Sequence, residues 1–208
     1  MLVVAGLSVG PILVDGTFTC SPVPVPAEDT VLWMETAFEE GAGNYAYHGQ
    51  TGDLCFYYKD DDDYIQGFTF TVCYDCNLTI DEDSWEFNGS ILDQVGVEYL
   101  AVQVDDDPDD GDGCELVVAL LMDALPPFDG QTLPQTDNLN EERLLVGKMR
   151  VTVDDDAECN EEQLIEWCND INGNGDVSLY NNVVIDYESI QVYERNDTSV
   201  YVVPEEIF

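Results

Sequence analysis

Between Tyr64 and Tyr74 the side chains alternate. Tyr64, Phe68, Phe70, Val72 and Tyr74 project to one side, while Gly67, Thr69, Thr71 and Cys73 project to the other. A period of two with aromatic and β-branched residues on one face is the pattern of a half-buried strand. Asp75 then closes it in an acidic turn.

Strand-like runs separated by turn-rich loops recur along the rest of the chain. They are expected at Val31–Phe38, Leu54–Lys59, Val97–Val104, Cys114–Ala124, Leu144–Val153, Gln163–Cys168, Val183–Asp186, Ile190–Tyr193 and Ser199–Val203. So many short strands with few helical patterns predict an all-β sandwich or barrel. Cys114–Met122 is apolar on both faces apart from Glu115, as in a central strand covered on both sides. In the run to Val153, Leu145, Gly147, Met149, Val151 and Val153 alternate with Val146, Lys148, Arg150 and Thr152, which gives that strand a wet face. Short helical turns are expected at Asp81–Phe87 and Asn138–Leu145, the latter with Glu141 and Glu142 in its first turn.

The chain of 208 residues suits one core with appendages. Its 45 Asp and Glu face only 5 Lys and Arg, a net charge of −40. Nucleic acid and anionic membrane surfaces are repelled by such a surface. A hydrophobic content of 45% still implies a folded core beneath the charge. Arg143, Lys148 and Arg150 are expected to meet carboxylates, within the subunit or across a contact.

Seven cysteines, Cys20, Cys55, Cys73, Cys76, Cys114, Cys159 and Cys168, point to an oxidising, extracellular or cell-surface setting and are all disulfide candidates. An odd number leaves at least one thiol free or paired between chains. Cys73 and Cys76 form a C-x-x-C, but no βαβ pattern surrounds it and no second pair follows to complete a zinc site, so a structural disulfide is expected there.

Residues 1–20 form an apolar arm with Leu2, Val3, Val4, Leu7, Ile12, Leu13, Val14 and Phe18 as its assembly candidates. Breaks at Gly6, Gly10 and Pro11, and the lack of a basic start, make it a poor signal peptide or membrane helix. An apolar terminus packs on its own domain or on a neighbouring chain. Residues 21–27 carry alternate prolines, which read as a polyproline II spacer of roughly 20 Å or as an edge crossing over a sandwich. Residues 28–208 are then the β-sandwich domain.

Gly52-Asp53-Leu54-Cys55-Phe56-Tyr57-Tyr58, followed by Ile65-Gln66-Gly67-Phe68-Thr69-Phe70-Thr71-Val72-Cys73-Tyr74-Asp75 and Leu78, resembles the opening of cohesin-type modules. In those modules a strand is followed by a Gly-Phe-x-Phe stretch ending in Tyr-Asp, with a leucine beyond. Leu164-Ile165-Glu166-Trp167-Cys168, then Asn182-Val183-Val184-Ile185-Asp186 and Ser189, resembles the closing strands of cohesin-like repeats in secreted bacterial proteins. The resemblance covers about residues 50–194. It implies a jelly-roll-like cohesin-type β-sandwich of about nine strands, here with an N-terminal apolar extension, that binds or assembles without catalysis.

Four acidic clusters fall in loops next to expected strands: Asp60, Asp61, Asp62 and Asp63; Asp105, Asp106, Asp107, Asp109, Asp110 and Asp112; Asp154, Asp155 and Asp156; and Asp170, Asn172, Asn174 and Asp176. Clustered oxygen ligands of this kind suit Ca2+, and at least one bound calcium is expected; for any single cluster a solvated acidic surface is an equal reading. Asp170-Ile171-Asn172-Gly173-Asn174-Gly175-Asp176 matches the start of an EF-hand loop, but Asn181 stands where the bidentate carboxylate belongs and strand follows, so a hairpin loop is expected. Asn77, Asn88 and Asn196 head glycosylation sequons. Lys59-Asp60-Asp61-Asp62-Asp63 matches the core of an epitope tag but reads as native.

His48, the only histidine, has no serine or cysteine signature nearby, and no phosphate-binding glycine motif is present. The sequence therefore favours a non-catalytic, calcium-stabilised extracellular subunit that self-assembles into a filament or surface layer by strand addition. A cohesin-like or carbohydrate-binding adhesion module on a larger scaffold is the alternative. Expected partners are further copies of itself or another extracellular protein, with a glycan as a further possibility.

Overall fold

The computed structural model describes residues 2–4, 7–9, 29–38, 43–106, 113–139, 141–171 and 178–205. In chain order its elements are β1 (Leu2–Val4), β2 (Leu7–Val9), β3 (Val31–Ala37), β4 (Tyr45–Ala46), β5 (Thr51–Lys59), β6 (Ile65–Tyr74), β7 (Leu78–Ile80), α1 (Leu92–Val95), β8 (Tyr99–Asp105), β9 (Cys114–Leu121), α2 (Thr136–Leu139), β10 (Leu144–Val153), β11 (Glu162–Trp167), β12 (Asn182–Ile185), β13 (Glu188–Gln191), β14 (Glu194–Asn196) and β15 (Thr198–Val202). The hairpin β1–β2 is a sheet of its own. The body is a sandwich of two sheets, as expected.

One sheet runs β14-β3-β5-β10-β7. The other is organised by β6, whose whole length pairs with β9 on one side, β8 lying beyond. On its other side the N-terminal half of β6 pairs with β12 and its C-terminal half with β11. β11 continues to β15 and β4, and β12 to β13. Two strands thus share one flank of β6 end to end, with residues 168–181 connecting them.

The alternation read in the sequence places Phe68, Phe70 and Val72 inward against Leu54, Phe56 and Tyr58 of the facing sheet. Phe70 stacks on Phe56 at 5.4 Å and meets Trp167 edge-on at 5.5 Å, the offset and T-shaped arrangements that ring quadrupoles favour. The expected half-buried character of β6 is corrected, because Thr69 and Thr71 on its other face are buried too. Tyr64 lies outside the strand and is exposed. As expected, β9 is buried on both faces up to Leu120.

Three further expectations need correction. In place of a helix over Asp81–Phe87 there is a 3-10 turn at Glu82–Ser84, with the Asp81 carboxylate accepting from the Asp83 N–H; Glu86 then bridges to Lys148 as extended backbone. The second turn forms at Thr136–Leu139, not Asn138–Leu145, because Leu144 onward is claimed by pairing with β5. Within β10 a bulge between Leu145 and Gly147 breaks the alternation, so Val146 enters the core instead of the wet face. Gly147 is required there: a Cβ would lie 2.4 Å from Cζ2 of Trp85, whose ring reaches over the strand to Phe56.

Candidate docking face

The register defines the outer face of the second sheet. Outward positions form cross-strand rows: Tyr99, Leu121, Gly67 and Val184; Ala101, Ala119, Thr69 and Asn182; Gln103, Val117 and Thr71. Gln191 and Ser189 of β13 extend the rows. None of these side chains is charged, although 45 of the 208 residues are acidic. Carboxylates begin only at the next row, with Asp105 and Glu115, and at Glu166 beside Cys73.

The middle of this face, Val117, Ala119, Thr69 and Thr71, is buried, and Tyr99, Ala101, Gln103, Leu121, Asn182 and Val184 are half-buried around it. Leu121 leans across β6, which is why Gly67 carries no side chain: a Cβ would sit 2.4 Å from Leu121 Cδ2. Small, uncharged residues make up its middle, with the larger Tyr99, Gln103 and Leu121 along one side. Depletion of charge is the compositional mark of an interface core.

Two disulfides brace one end. Cys73–Cys168 ties β6 to the end of β11, and Cys76–Cys114 ties the turn after β6 to the start of β9. The C-x-x-C cysteines are therefore both in structural bridges, each with a distant partner. Across a sequence separation of 95, the first removes loop entropy from the unfolded chain equivalent to roughly 4–5 kcal/mol. The candidates Cys55 and Cys159 are corrected: Cys55 is a buried free thiol facing the outside of β5, and Cys159 is an exposed one. Cys20 lies outside the described residues.

Among the described residues the acidic clusters are mostly held apart, although Asp105, Asp106 and Asp154 all lie close enough to Tyr74 to act on its hydroxyl. Asp60 is fully buried, its Oδ2 accepting from Thr30 Oγ1 at 2.5 Å and its Oδ1 from the N–H groups of Asp62 and Asp63 at 3.1 and 2.7 Å. Protein donors hold this carboxylate, as in a turn cap. Asp61 accepts from Thr136 Oγ1 and pairs with Lys59 at 3.0 Å; these bonds hold its carboxyl below the usual range. Burial and the neighbouring Asp60 and Asp62 push Asp63 the other way.

Asp105 is buried at the end of β8 and Asp106 is exposed; Asp154 accepts from Thr79 Oγ1 at 2.7 Å, with Asp155 and Asp156 exposed beside it. Hydrogen bonds from Ser178 and Tyr180 hold Asp170 below the usual range. Asp107, Asp109, Asp110, Asp112, Asn172, Asn174 and Asp176 lie outside the described residues. Among the described residues no three His, Cys, Asp or Glu side chains come together to hold a metal.

Lys148 and Arg150 of β10, and Arg143 just before it, meet carboxylates within the chain: Lys148 bridges Asp53 at 2.7 Å and Glu86 at 2.9 Å, Arg150 pairs with Asp81, and Arg143 pairs with Glu35 and stacks over Tyr57 at 4.8 Å. His48 Nε2 lies 2.6 Å from the Ala157 carbonyl oxygen, a tie between two turns, with Cys159 Sγ at 3.7 Å. Sequence reading missed the uncharged face. Its signal was present as a run of uncharged alternate positions in an acidic chain, but only the register aligns those positions.

No family model and no curated protein matches the sequence. Solved structures do. The sixth cohesin of scaffoldin B from Acetivibrio cellulolyticus, in complex with a Cel5 dockerin mutant, aligns with a TM-score of 0.54 and 10% identity over 83% of this chain and 98% of that one. The fold is cohesin-like. A type I cohesin of Clostridium thermocellum, Coh-OlpC, in complex with Doc435, gives 0.53 and 12% over 88% and 99%. Coh-OlpA of the same organism, in complex with Doc918, gives 0.53 and 11% over 83% and 99%. The cohesin-like sandwich accounts for most of the chain, and at these identities the likeness is one of fold.

Proposed function

We propose that this chain is a non-catalytic, extracellular protein-binding module that docks a partner on the outer face of β8, β9, β6 and β12. The observation that carries it is the uncharged face on a chain of net charge −40. Elsewhere, carboxylates would repel an acidic partner and hold water against a neutral one; on this face a partner can be desolvated without burying unpaired charge. The dockerin complexes formed by the similar structures support a dockerin-type partner. The two disulfides suit an oxidising compartment.

The test is calorimetric titration of the purified chain with a panel of dockerin modules. Saturable binding is expected, weakened at least tenfold by Ala101→Asp or Val184→Asp and unchanged by Glu166→Gln at the border. Absence of binding by every dockerin removes that partner class. Binding that ignores both face substitutions removes the face.

A further inference from the structure

We infer a second binding site, separate from the face above: at the end of the sheet where β6 begins and β12 stops, exposed aromatic rings with a carboxylate beside each take a neutral oligosaccharide. Tyr64, Phe128 and Tyr187 are 56%, 63% and 67% exposed, and Asp63, Asp129 and Asp186 adjoin them in sequence. Strand pairing brings the three segments to one end. Ile65, which follows Tyr64, pairs with Ile185, the last residue of β12. The next residue, Gln66, holds the other two segments. Its carbonyl accepts from the Met122 N–H at 3.0 Å, where the loop bearing Phe128 leaves β9, and its side-chain Oε1 accepts from the Tyr187 N–H at 2.8 Å. The Asp123 carboxylate closes that loop by accepting from the Gly130 N–H at 2.9 Å. Burial, then the charges of Asp60, Asp62 and Asp186, hold the Asp63 carboxyl above the usual range, so the Asp63 and Asp186 turns lie within electrostatic reach of each other.

The backbone at Tyr187 singles out its ring. Asp186 and Tyr187 form the two-residue turn between β12 and β13, both with positive φ, 49° and 64°. Such a turn favours Asp-Gly, because a residue with a Cβ is strained at the second position. Tyr187, two-thirds in water, gains little packing to offset that strain. Strain of this kind persists where the side chain is used.

The chemistry around the rings selects the ligand. A net charge of −40 repels anions. An apolar protein surface would strip water from Asp63, Asp129 and Asp186 without supplying donors, which sets this end apart from the uncharged face. A pyranose meets both kinds of group. The polarised C–H groups on its apolar side face the negative face of a ring, and its hydroxyls donate to carboxylates in charge-assisted hydrogen bonds. A neutral sugar also approaches so acidic a chain without repulsion.

The experiment is calorimetric titration of the full chain, in chelator to exclude bridging by metal, with neutral oligosaccharides of glucose, mannose, galactose and N-acetylglucosamine and with an oligogalacturonate as the anionic comparison. Binding of at least one neutral oligosaccharide in preference to the oligogalacturonate is expected. Tyr187→Gly and Tyr64→Ala should each weaken it about tenfold, while Ala101→Asp on the docking face leaves it unchanged. Tyr187→Gly should not lower the thermal midpoint, since glycine adopts that φ without strain. A lower midpoint would give the ring a packing role and overturn the proposal. So would the absence of binding by every neutral oligosaccharide, a preference for the oligogalacturonate, or binding that both tyrosine variants leave unchanged. A Tyr187→Gly chain that keeps its sugar and loses the protein partner of the face would assign the ring to that interface and overturn it as well.

Discussion

The side-chain amide of Asn181 takes the place of a missing strand residue beside Thr71. Its Oδ1 accepts from the Thr71 N–H at 2.8 Å, and its Nδ2 donates to the carbonyls of Thr71 at 3.0 Å and Cys168 at 2.6 Å. β11 ends at Trp167 and β12 begins at Asn182; in the break between them the Thr71 carbonyl still accepts from the Cys168 N–H at 3.1 Å, but the Thr71 N–H would lack a partner. A fully buried amide, acceptor and donor in one plane, imitates the peptide group that a continuous strand would supply. This is also why the EF-hand-like loop cannot close on a cation at that position: its final residue faces the sheet.

Asn181→Ala should therefore lower stability by about 2–3 kcal/mol by orphaning the Thr71 N–H. Asn181→Asp should be worse, because a carboxylate cannot donate to the two carbonyls it would face. Urea unfolding with and without calcium checks this. Were the loop an EF-hand, Asn181→Asp would raise calcium affinity and become stabilising at millimolar calcium; loss of stability at every calcium concentration is expected.

Asp60→Asn should cost about 1–3 kcal/mol, since the buried carboxylate accepts three hydrogen bonds, and an amide that keeps its oxygen on the N–H groups of Asp62 and Asp63 must reverse the bond to the Thr30 hydroxyl and loses the charge that strengthens all three. Thermal unfolding should show the same loss in calcium and in chelator. A loss that appears only with calcium present would make Asp60 a metal ligand after all.

The two described free thiols should react differently. Burial first, and then Asp53, push the Cys55 thiol from 9.0 up to about 11. Burial, and then Cys55, raise its neighbour Tyr57 from 10.0 to about 12. Native protein at about pH 8.5, read by mass spectrometry, should be alkylated at Cys159 well before Cys55. Both acids, the buried Cys55 and the half-buried Tyr57, are favoured in their neutral form, so their contribution is full below the unfolded values and is lost as pH rises through about 11 to 12. Alkaline unfolding should begin above about pH 9, and Cys55→Ala should shift its onset upward.

Raising NaCl from about 0.02 to about 1 M should increase the thermal midpoint by several degrees. The ion pairs of Arg143, Lys148 and Arg150 are partly exposed and lose little on screening. Repulsion among 45 acidic residues against 5 basic ones is the larger effect. A midpoint that falls with salt would mean that the pairs outweigh it.

Gly147→Ala should destabilise by about 2–3 kcal/mol, because the added methyl must displace the Trp85 ring from its seat against the core. Trp85 fluorescence and urea unfolding measured together test it. Unchanged stability would show that the ring can move freely.

The sequence by itself determined the sheet. The alternation around Phe68 and Phe70, the doubly apolar run of β9 and the boundaries of β10 at Leu144 and Val153 were legible because strand period and burial act locally. The coarse architecture and its likeness to cohesins followed from those strands. Tertiary structure alone decided the rest. The disulfide partners of Cys73 and Cys76, the roles of Asn181 and Asp60, the bulge that turns Val146 inward and the alignment of uncharged positions into one face depend on residues far apart in sequence. No local pattern encodes which strands become neighbours. A carboxylate in an acidic run looks the same whether it faces water, a cation or the hydroxyl of Thr30, and only packing distinguishes them.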